Sequence, residues 1–210
     1  MADSKSSSET PEDPGYTVLE ALLSDGDLRD IRGAIAVLHE KAKTDPLFRT
    51  GGTLHLDGLY EIGDPFDRVW TNERLVTAVT TLVGPEFRVS EVHMRSPLPG
   101  EGAQALHADY YRLPPDGGHF LATAIVAIDD FTSRNGATRI VPGSHRTLNL
   151  DAPKDHDTPH PRERVVEMTA GSALVFSGHL WHSGTRNRSG NRRDALQIVF
   201  TRPGVRWYGR

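Results

Sequence analysis

Two stretches in the first half of the chain carry apolar residues on one helical face. In the first stretch the apolar positions recur every three or four residues and comprise Leu28, Ile31, Ile35, Leu38 and Ala42. That spacing predicts an amphipathic helix, for which Ser24 or Asp25 is the expected cap. A second helix is predicted over about residues 72–83, and Gly84-Pro85 ends it.

After Gly84 the pattern changes to short runs with the period of β-strands. Residues 87–94 alternate between two faces, and apolar or β-branched runs follow at 120–128, 137–141, 164–168, 173–176 and 195–201. Turn residues such as Asn135-Gly136 and Pro142-Gly143 separate these runs. Two helices followed by many short strands predict a mainly β, α+β fold, in which helices back a sheet sandwich or barrel.

The length of 210 residues fits one domain. Residues 1–14 are rich in Ser, Glu, Asp and Pro, so we expect a disordered tail there and a single domain over 15–210. Helical elements are expected mainly over 24–84, and core strands over about 50–203. The polar segment 147–161 is predicted to be a long loop, a kind of segment that is often functional or mobile.

Composition restricts the chemistry further, because the chain has no cysteine and ten histidines. This excludes a disulfide scaffold, a thiolate nucleophile, an iron–sulfur cluster and a cysteine-based zinc site. A net charge of -4 gives no basic footprint for nucleic acid, and the apolar runs are too short for a membrane helix. The N-terminus also lacks the apolar core of a secretory signal. We therefore expect a cytoplasmic protein that binds neither nucleic acid nor a membrane.

His107 and Asp109 are the first candidate metal ligands. They are two residues apart, so both side chains point to one face of an extended backbone. An imidazole and a carboxylate on one face supply two of the three ligands of a two-His, one-carboxylate site, which leaves positions open on a divalent iron.

The second histidine is expected from segment 177–184, which holds His179 and His182. These two are three residues apart and face opposite sides of a strand, so only one of them can join the site. If His182 ends one strand and Arg193 begins its antiparallel partner, their side chains lie close together. A buried arginine beside a metal suits a dicarboxylate, whose far end it can hold through two hydrogen bonds.

Four separate motifs resemble, in order and spacing, the phytanoyl-CoA dioxygenase (PhyH) family. They are His107-x-Asp109, the run at 135–145, Trp181-His182 with Asn187, and Arg193. The resemblance covers roughly residues 50–203. It implies an Fe(II)- and 2-oxoglutarate-dependent oxygenase with a double-stranded β-helix core, which is a cupin-like jelly roll.

The resemblance also implies residue roles. In that family, the His-x-Asp pair and the later histidine bind iron, which assigns His107, Asp109 and His182 to the metal. The arginine eleven residues after the later histidine binds the side-chain carboxylate of 2-oxoglutarate, which assigns Arg193 to the cosubstrate. The implied reaction consumes 2-oxoglutarate and O2, releases succinate and CO2, and oxidises a C–H bond of a small molecule. Because related halogenases replace the carboxylate ligand, Asp109 favours hydroxylation, or a related desaturation, epimerisation or ring closure.

Other residues are candidates for contacts around this site. Thr138 and Gln104 are predicted to contact the cosubstrate. Ile125 occupies a position where many family members have a bulky aromatic residue. This predicts that the floor of the cosubstrate site has a different shape. His179 is predicted to be satisfied by a backbone carbonyl or to support the site indirectly.

Four residues are candidates for the substrate pocket: His55, Arg95, Tyr110 and Tyr111. A surface salt bridge is the alternative interpretation of Arg95. His55 and Asp57 share a strand face and resemble a second His-x-Asp pair, but no matching distal motif accompanies them.

The substrate itself is not specified by the sequence, because fold and cofactor do not fix it. A polar small molecule, such as an intermediate of specialised-metabolite biosynthesis, is the preferred class. One alternative is a jelly-roll binding module that has lost catalysis, which the complete ligand set disfavours. The other is a cupin-like isomerase or hydrolase that uses another divalent metal without 2-oxoglutarate, which Arg193 disfavours. The oligomeric state is left open.

Overall fold

The computed structural model describes residues 13–42, 49–50, 52–147 and 150–207. Most of the predicted tail therefore lies outside the described residues. Its last two residues lie against the domain: Pro14 O accepts a hydrogen bond from Gly143 N (2.9 Å), and Asp13 O accepts one from Arg146 Nη2 (2.9 Å).

The described chain begins with a strand, continues through helices and then consists mainly of strands. The helices are α1 (Asp25–Ala42), α2 (Asp67–Trp70) and α3 (Glu73–Val83). The strands are β1 (Tyr16–Leu19), β2 (Arg49–Thr50), β3 (Thr53–Leu56), β4 (Arg88–Pro97), β5 (Leu121–Ala127), β6 (Thr138–Ile140), β7 (Arg164–Val165), β8 (Ala173–Ser177), β9 (His182–Gly184) and β10 (Ala195–Thr201).

Helices α1 and α3 confirm the two predicted helices and their caps. Ser24 Oγ accepts a hydrogen bond from Asp27 N (3.2 Å) at the start of α1, and Asn72 Oδ1 accepts one from Arg74 N (3.0 Å) at the start of α3. Gly84 ends α3 with a φ of 86°, a conformation that favours glycine. The short helix α2 and the strand β1 were not predicted. No helix in the described ranges combines the length and the apolar content that crossing a bilayer requires.

The strands form two antiparallel sheets that face each other. The large sheet has the order β1-β8-β5-β10-β4-β3-β2, and the small sheet has the order β7-β6-β9. Helices α1 and α3 cover the outer face of the large sheet, where Ile31, Val79 and Ile198 belong to one apolar cluster. Between the sheets, Ile140 of β6 packs in a cluster with Phe176 of β8. This arrangement confirms the mainly β fold with flanking helices and the double-stranded β-helix core.

His182 and Arg193 approach each other in a way that differs from the prediction. Strand β9, which begins at His182, pairs with β6 in the small sheet, whereas β10 pairs with β4 and β5 in the large sheet. The antiparallel pairing expected between them is therefore wrong, because the chain between Gly184 and Ala195 crosses from one sheet to the other. The two side chains line the same space from facing sheets.

The polar segment 147–161 is a loop in its described part, as predicted, and Arg139 of β6 fastens it to the small sheet. The buried Arg139 guanidinium donates to Thr158 O (3.0 Å) and His156 O (2.9 Å) in the loop. It also donates to Gln104 O (3.2 Å). One buried cation therefore holds the loop against the wall of the site described next.

Candidate metal centre

His107, Asp109 and His182 converge between the sheets. Each offers one ligand atom, and these atoms lie within 4.8 Å of one another. His107 Nε2 is 4.0 Å from Asp109 Oδ1, and His182 Nε2 is 3.7 Å from the same oxygen. Of the two histidines that the strand geometry allowed, the structure thus selects His182.

A backbone bridge sets the two histidines side by side. His107 N donates to His182 O (3.0 Å), and His182 N donates to His107 O (2.8 Å). Their ring centroids are 4.5 Å apart. Because Asp109 follows His107 by two residues, its carboxylate reaches the same side.

Both imidazoles are held with the same nitrogen toward the site. His107 Nδ1 donates to Ala105 O and His182 Nδ1 donates to Leu180 O, each at 2.9 Å. A carbonyl oxygen only accepts hydrogen bonds, so Nδ1 carries the proton and Nε2 keeps a free lone pair. Burial lowers the pKa of His182 to about 4. This imidazole is therefore neutral at physiological pH, which is the form that binds a metal.

Thr123 of β5 orients the carboxylate. Its hydroxyl donates to Asp109 Oδ2 at 2.6 Å, which leaves Oδ1 for a metal. Two imidazole nitrogens and one carboxylate oxygen on one side are the donor set that non-haem iron(II) takes. Thr123 is not predictable from the sequence, because only the placement of β5 against the His107–Asp109 segment shows that it faces Asp109.

Replacing Thr123 by valine is expected to lower the affinity for iron(II) about tenfold, since partners that orient metal ligands contribute roughly 10–100-fold. The measurement is an anaerobic iron(II) titration of the metal-free protein. Thr123→Ser keeps the hydroxyl and is the matched control, for which we expect nearly wild-type affinity. Equal affinities in the valine and wild-type proteins would contradict this positioning role.

A cavity runs from His182 of the metal triad to Arg193. Its lining includes His182, Gln104, Thr138, Ile125, Arg95 and Arg193. Five of these six residues were predicted to bind the metal, the cosubstrate or the substrate. The sixth, Ile125, was predicted to shape the floor of the cosubstrate site. The cavity walls come from both sheets, so the site exists only where the two sheets face each other.

Arg193 is a buried cation whose hydrogen-bonding capacity is only partly used. Its Nη2 donates to Gly136 O (2.9 Å), and its guanidinium carbon lies 3.8 Å from the centre of the Phe131 ring. Its Nε is buried and has no hydrogen-bond partner among the described residues. Burial, together with the nearby charge of Arg95, lowers the pKa of Arg193 to about 9, so the group stays charged at neutral pH. A buried cation with an unpaired donor suits an anionic ligand.

Other polar side chains line the same cavity. Gln104 Oε1 accepts a hydrogen bond from Gly184 N (3.2 Å), which leaves its amide NH2 to donate. Thr138 is buried on β6, and Arg95 lines the wall formed by β4. The alternative placement of Arg95 in a surface salt bridge is therefore wrong.

The other candidate substrate residues are not part of the lining of this cavity. The ring of Tyr110 packs against Phe120, with ring centroids 5.4 Å apart, and the ring of Tyr111 packs against Trp181 at 5.9 Å. Neither tyrosine is among the side chains that line the cavity. His55 lies on β3 opposite Arg95, outside the cavity lining.

His179 and Asn187 have structural roles. His179 Nδ1 donates to Tyr110 O at 3.0 Å, so this histidine is satisfied by a backbone carbonyl, as predicted. Asn187 is fully buried, and its amide donates to Pro97 O (2.9 Å) and Asn191 O (2.8 Å). It therefore fixes the crossing segment that leads to Arg193.

The jelly-roll core, the two-His, one-carboxylate triad and the buried arginine beside it define a non-haem iron dioxygenase that uses 2-oxoglutarate. Residues 12–195 match the sequence model of the phytanoyl-CoA dioxygenase (PhyH) family. The chain belongs to this family.

Two proteins are similar to this chain in sequence. The Mycobacterium tuberculosis protein Rv1501 is 32% identical over 206 residues, which cover 90% of this chain and 71% of that protein. Dioxygenase ALT11 of Alternaria alternata is 37% identical over 109 residues, which cover 49% of this chain and only 34% of that enzyme. The chain thus spans about a third of the length of that dioxygenase.

Solved structures share the fold. HygX from Streptomyces hygroscopicus, determined with nickel and 2-oxoglutarate bound, superposes with a TM-score of 0.73 at 18% identity, over 94% of this chain and 86% of HygX. The epimerase SnoN, determined with Fe3+, alpha-ketoglutarate and nogalamycin RO, superposes with a TM-score of 0.68 at 18% identity, over 92% of this chain and 84% of SnoN.

Proposed function

We propose that this protein hydroxylates a C–H bond of a polar small molecule, consuming 2-oxoglutarate and O2 and releasing succinate and CO2. The observation that carries the proposal is the cavity that His182, a member of the triad with His107 and Asp109, lines together with the buried guanidinium of Arg193. A metal site alone fits many reactions, but a metal site joined to a buried cation suits a dicarboxylate cosubstrate.

His107, Asp109 and His182 would hold iron(II), which when bound would supply the oxygen activation coupled to decarboxylation of 2-oxoglutarate. The side chains of this protein bind and orient. Arg193 would hold the far carboxylate of 2-oxoglutarate, while the Gln104 amide and the Thr138 hydroxyl donate hydrogen bonds to the same molecule. Ile125 forms an apolar floor that excludes water from the reacting groups. Asp109 supplies the carboxylate ligand that related halogenases replace. Its presence favours hydroxylation over halogenation.

The proposed substrate carries an acidic group that pairs with Arg95. Burial lowers the pKa of Arg95, and the carboxylates of Asp109 and Glu91 oppose that shift. Arg95 has no hydrogen bond to any side chain in the described ranges, so an anionic group in the cavity would find an unpaired cation there.

A natural product or its precursor is the proposed substrate class. HygX has been crystallised with hygromycin B, and SnoN in complex with nogalamycin RO. We further propose that the protein acts in the cytoplasm without a nucleic-acid or membrane partner, since a chain without cysteine requires no oxidising compartment.

Adding 2-oxoglutarate to the anaerobic iron(II) protein is expected to give a visible charge-transfer band, because the cosubstrate then coordinates the metal. His107→Ala, which lacks one ligand, is expected to give none. A colourless wild-type complex, or the same band in His107→Ala, would falsify the assignment.

A succinate-release screen over polar candidate metabolites, with mass spectrometry of the products, then tests the reaction. We expect one oxygen atom to be gained by the substrate for each succinate formed. A product formed without succinate would indicate a metal enzyme that does not use 2-oxoglutarate.

A further inference from the structure

A second group of metal-binding side chains lies on β3 and β4, separate from the iron triad. His55, Asp57 and His93 each offer one ligand atom, and these atoms lie within 4.8 Å of one another. His55 Nε2 is 3.4 Å from Asp57 Oδ1, a shorter distance than either histidine of the iron triad makes to Asp109 Oδ1. The His55-x-Asp57 pair, which had no partner motif in the sequence, thus has a second histidine in the structure.

The pairing of β3 with β4 brings the cluster together. His55 lies opposite Arg95, so His93, two residues away along β4, projects from the same face. The ring centroids of His55 and His93 are 4.2 Å apart. Asp57 directly follows β3, where its carboxylate can reach the two imidazoles.

Two ring nitrogens of the cluster are buried without a hydrogen bond to any described residue. His93 is only 4% exposed, and its Nε2 has no hydrogen-bond partner within the described ranges. The same holds for His55 Nε2, which lies 3.4 Å from Asp57 Oδ1. Because a buried imidazole nitrogen without a hydrogen bond is unfavourable, these atoms indicate a ligand that binds between the two rings.

A carboxylate lies next to the His93 ring, as is common for histidines that bind metals. Glu91 Oε1 lies 3.1 Å from His93 Nδ1. Glu91 Oε2 in turn accepts a hydrogen bond from Trp207 Nε1 at 2.5 Å. With Glu91 beside Nδ1, Nε2 is the His93 nitrogen that remains for an ion.

The charges around the cluster also suit a divalent cation. Asp57 and Glu91 contribute two negative charges against the one positive charge of Arg95.

We propose that His55, Asp57 and His93 form a second divalent-metal site, with zinc(II) as the preferred ion. Two imidazole nitrogens and one carboxylate oxygen match common zinc ligand sets, and they leave a fourth position for water or a polar ligand. Zinc also binds such nitrogen and oxygen ligands more tightly than iron(II) does. The ion would join the short strand β3 to β4 beside Arg95, and this proposal does not depend on the proposed oxidation.

Zinc binding to protein that lacks the iron triad tests the site. The starting variant is His107→Ala/His182→Ala, purified metal-free and dialysed against zinc(II). We expect it to retain one zinc per chain. Adding His93→Gln is expected to weaken that binding at least about a hundredfold, since one of three ligands is lost.

A matched control changes the third cluster of two histidines and an aspartate among the described residues. This cluster consists of Asp13, His119 and His145. His119 Nδ1 is already within hydrogen-bonding distance of Ser177 Oγ, at 2.9 Å. His119→Gln in the same background is therefore expected to keep the zinc ion. No retained zinc in the starting variant, or zinc lost with His119→Gln but kept with His93→Gln, would overturn the proposal.

A second variant tests the site independently of whether the His93→Gln protein folds. The Asp57 side chain is 65% exposed, so Asp57→Asn is expected to fold normally while removing the charged ligand. With cobalt(II) in place of zinc, the starting variant should show the visible bands of a bound ion, and Asp57→Asn should lose most of their intensity at the same cobalt concentration. Unchanged bands in Asp57→Asn would also overturn the proposal.

Discussion

Replacing His182 by alanine is expected to reduce succinate formation at least about a thousandfold and to remove most of the bound iron. His182 is one of two imidazoles in the triad, and it is 5% exposed. Its ring lies between His107 and Phe176, with centroids 4.5 Å from each. The packing that fixes its orientation prevents a neighbouring side chain from replacing it, so alanine leaves only two ligands.

The measurements are iron content after anaerobic reconstitution and succinate formed in the presence of 2-oxoglutarate. His179→Asn is the matched control, because His179 is also buried but bonds to the Tyr110 carbonyl, which an asparagine amide can still reach. We expect this control to keep its iron. Full iron content in His182→Ala, or equal loss in both variants, would contradict the ligand assignment.

Replacing Arg193 by methionine is expected to weaken 2-oxoglutarate binding by roughly a hundredfold to a thousandfold. Loss of one partner of a buried, hydrogen-bonded charge pair costs about 2–5 kcal/mol, and each 1.4 kcal/mol corresponds to a tenfold change in Kd. The reason is that the cosubstrate carboxylate would then be buried without a cation.

The same change is expected to leave the ligand-free protein at least as stable as the wild type. Folding lowers the pKa of Arg193 to about 9, so its charge opposes folding at every pH below that value. Methionine removes a buried guanidinium with an unpaired Nε and keeps much of its volume. Binding and stability should therefore change in different directions.

Titration of the charge-transfer band gives the 2-oxoglutarate affinity, and thermal denaturation without ligand gives the stability. Arg193→Lys keeps the charge but loses the two-pronged donor geometry, so we expect an intermediate affinity. An unchanged affinity in Arg193→Met, or a ligand-free protein that unfolds several degrees earlier, would show that Arg193 mainly supports the fold.

Local features were predictable because they depend on residues close in sequence. The spacing of Leu28, Ile31 and Ile35 predicted α1, and the Gly84 stop predicted the end of α3. The shared face of His107 and Asp109 follows from the two-residue period of extended backbone alone. The family resemblance then supplied the roles of His182 and Arg193, which sequence spacing left open.

Long-range placement was not predictable in the same way. Strands β9 and β10 belong to different sheets, so the direct pairing expected for His182 and Arg193 does not occur. Thr123 became a partner of Asp109, and His93 a partner of His55, through segments 14 and 38 residues apart in the chain. Such contacts depend on strand register, which short sequence patterns do not specify.

The sequence by itself determined the kind of ligands, the order of the motifs and the two packed helices, because these depend on residue type and local period. Only the tertiary structure decided which side chains meet. It placed His182, and not His179, beside His107 and Asp109, placed Arg95 in the cavity, and joined His55 to His93. The physical reason is that two facing sheets bring distant segments together, and their pairing is fixed by the burial of the whole core.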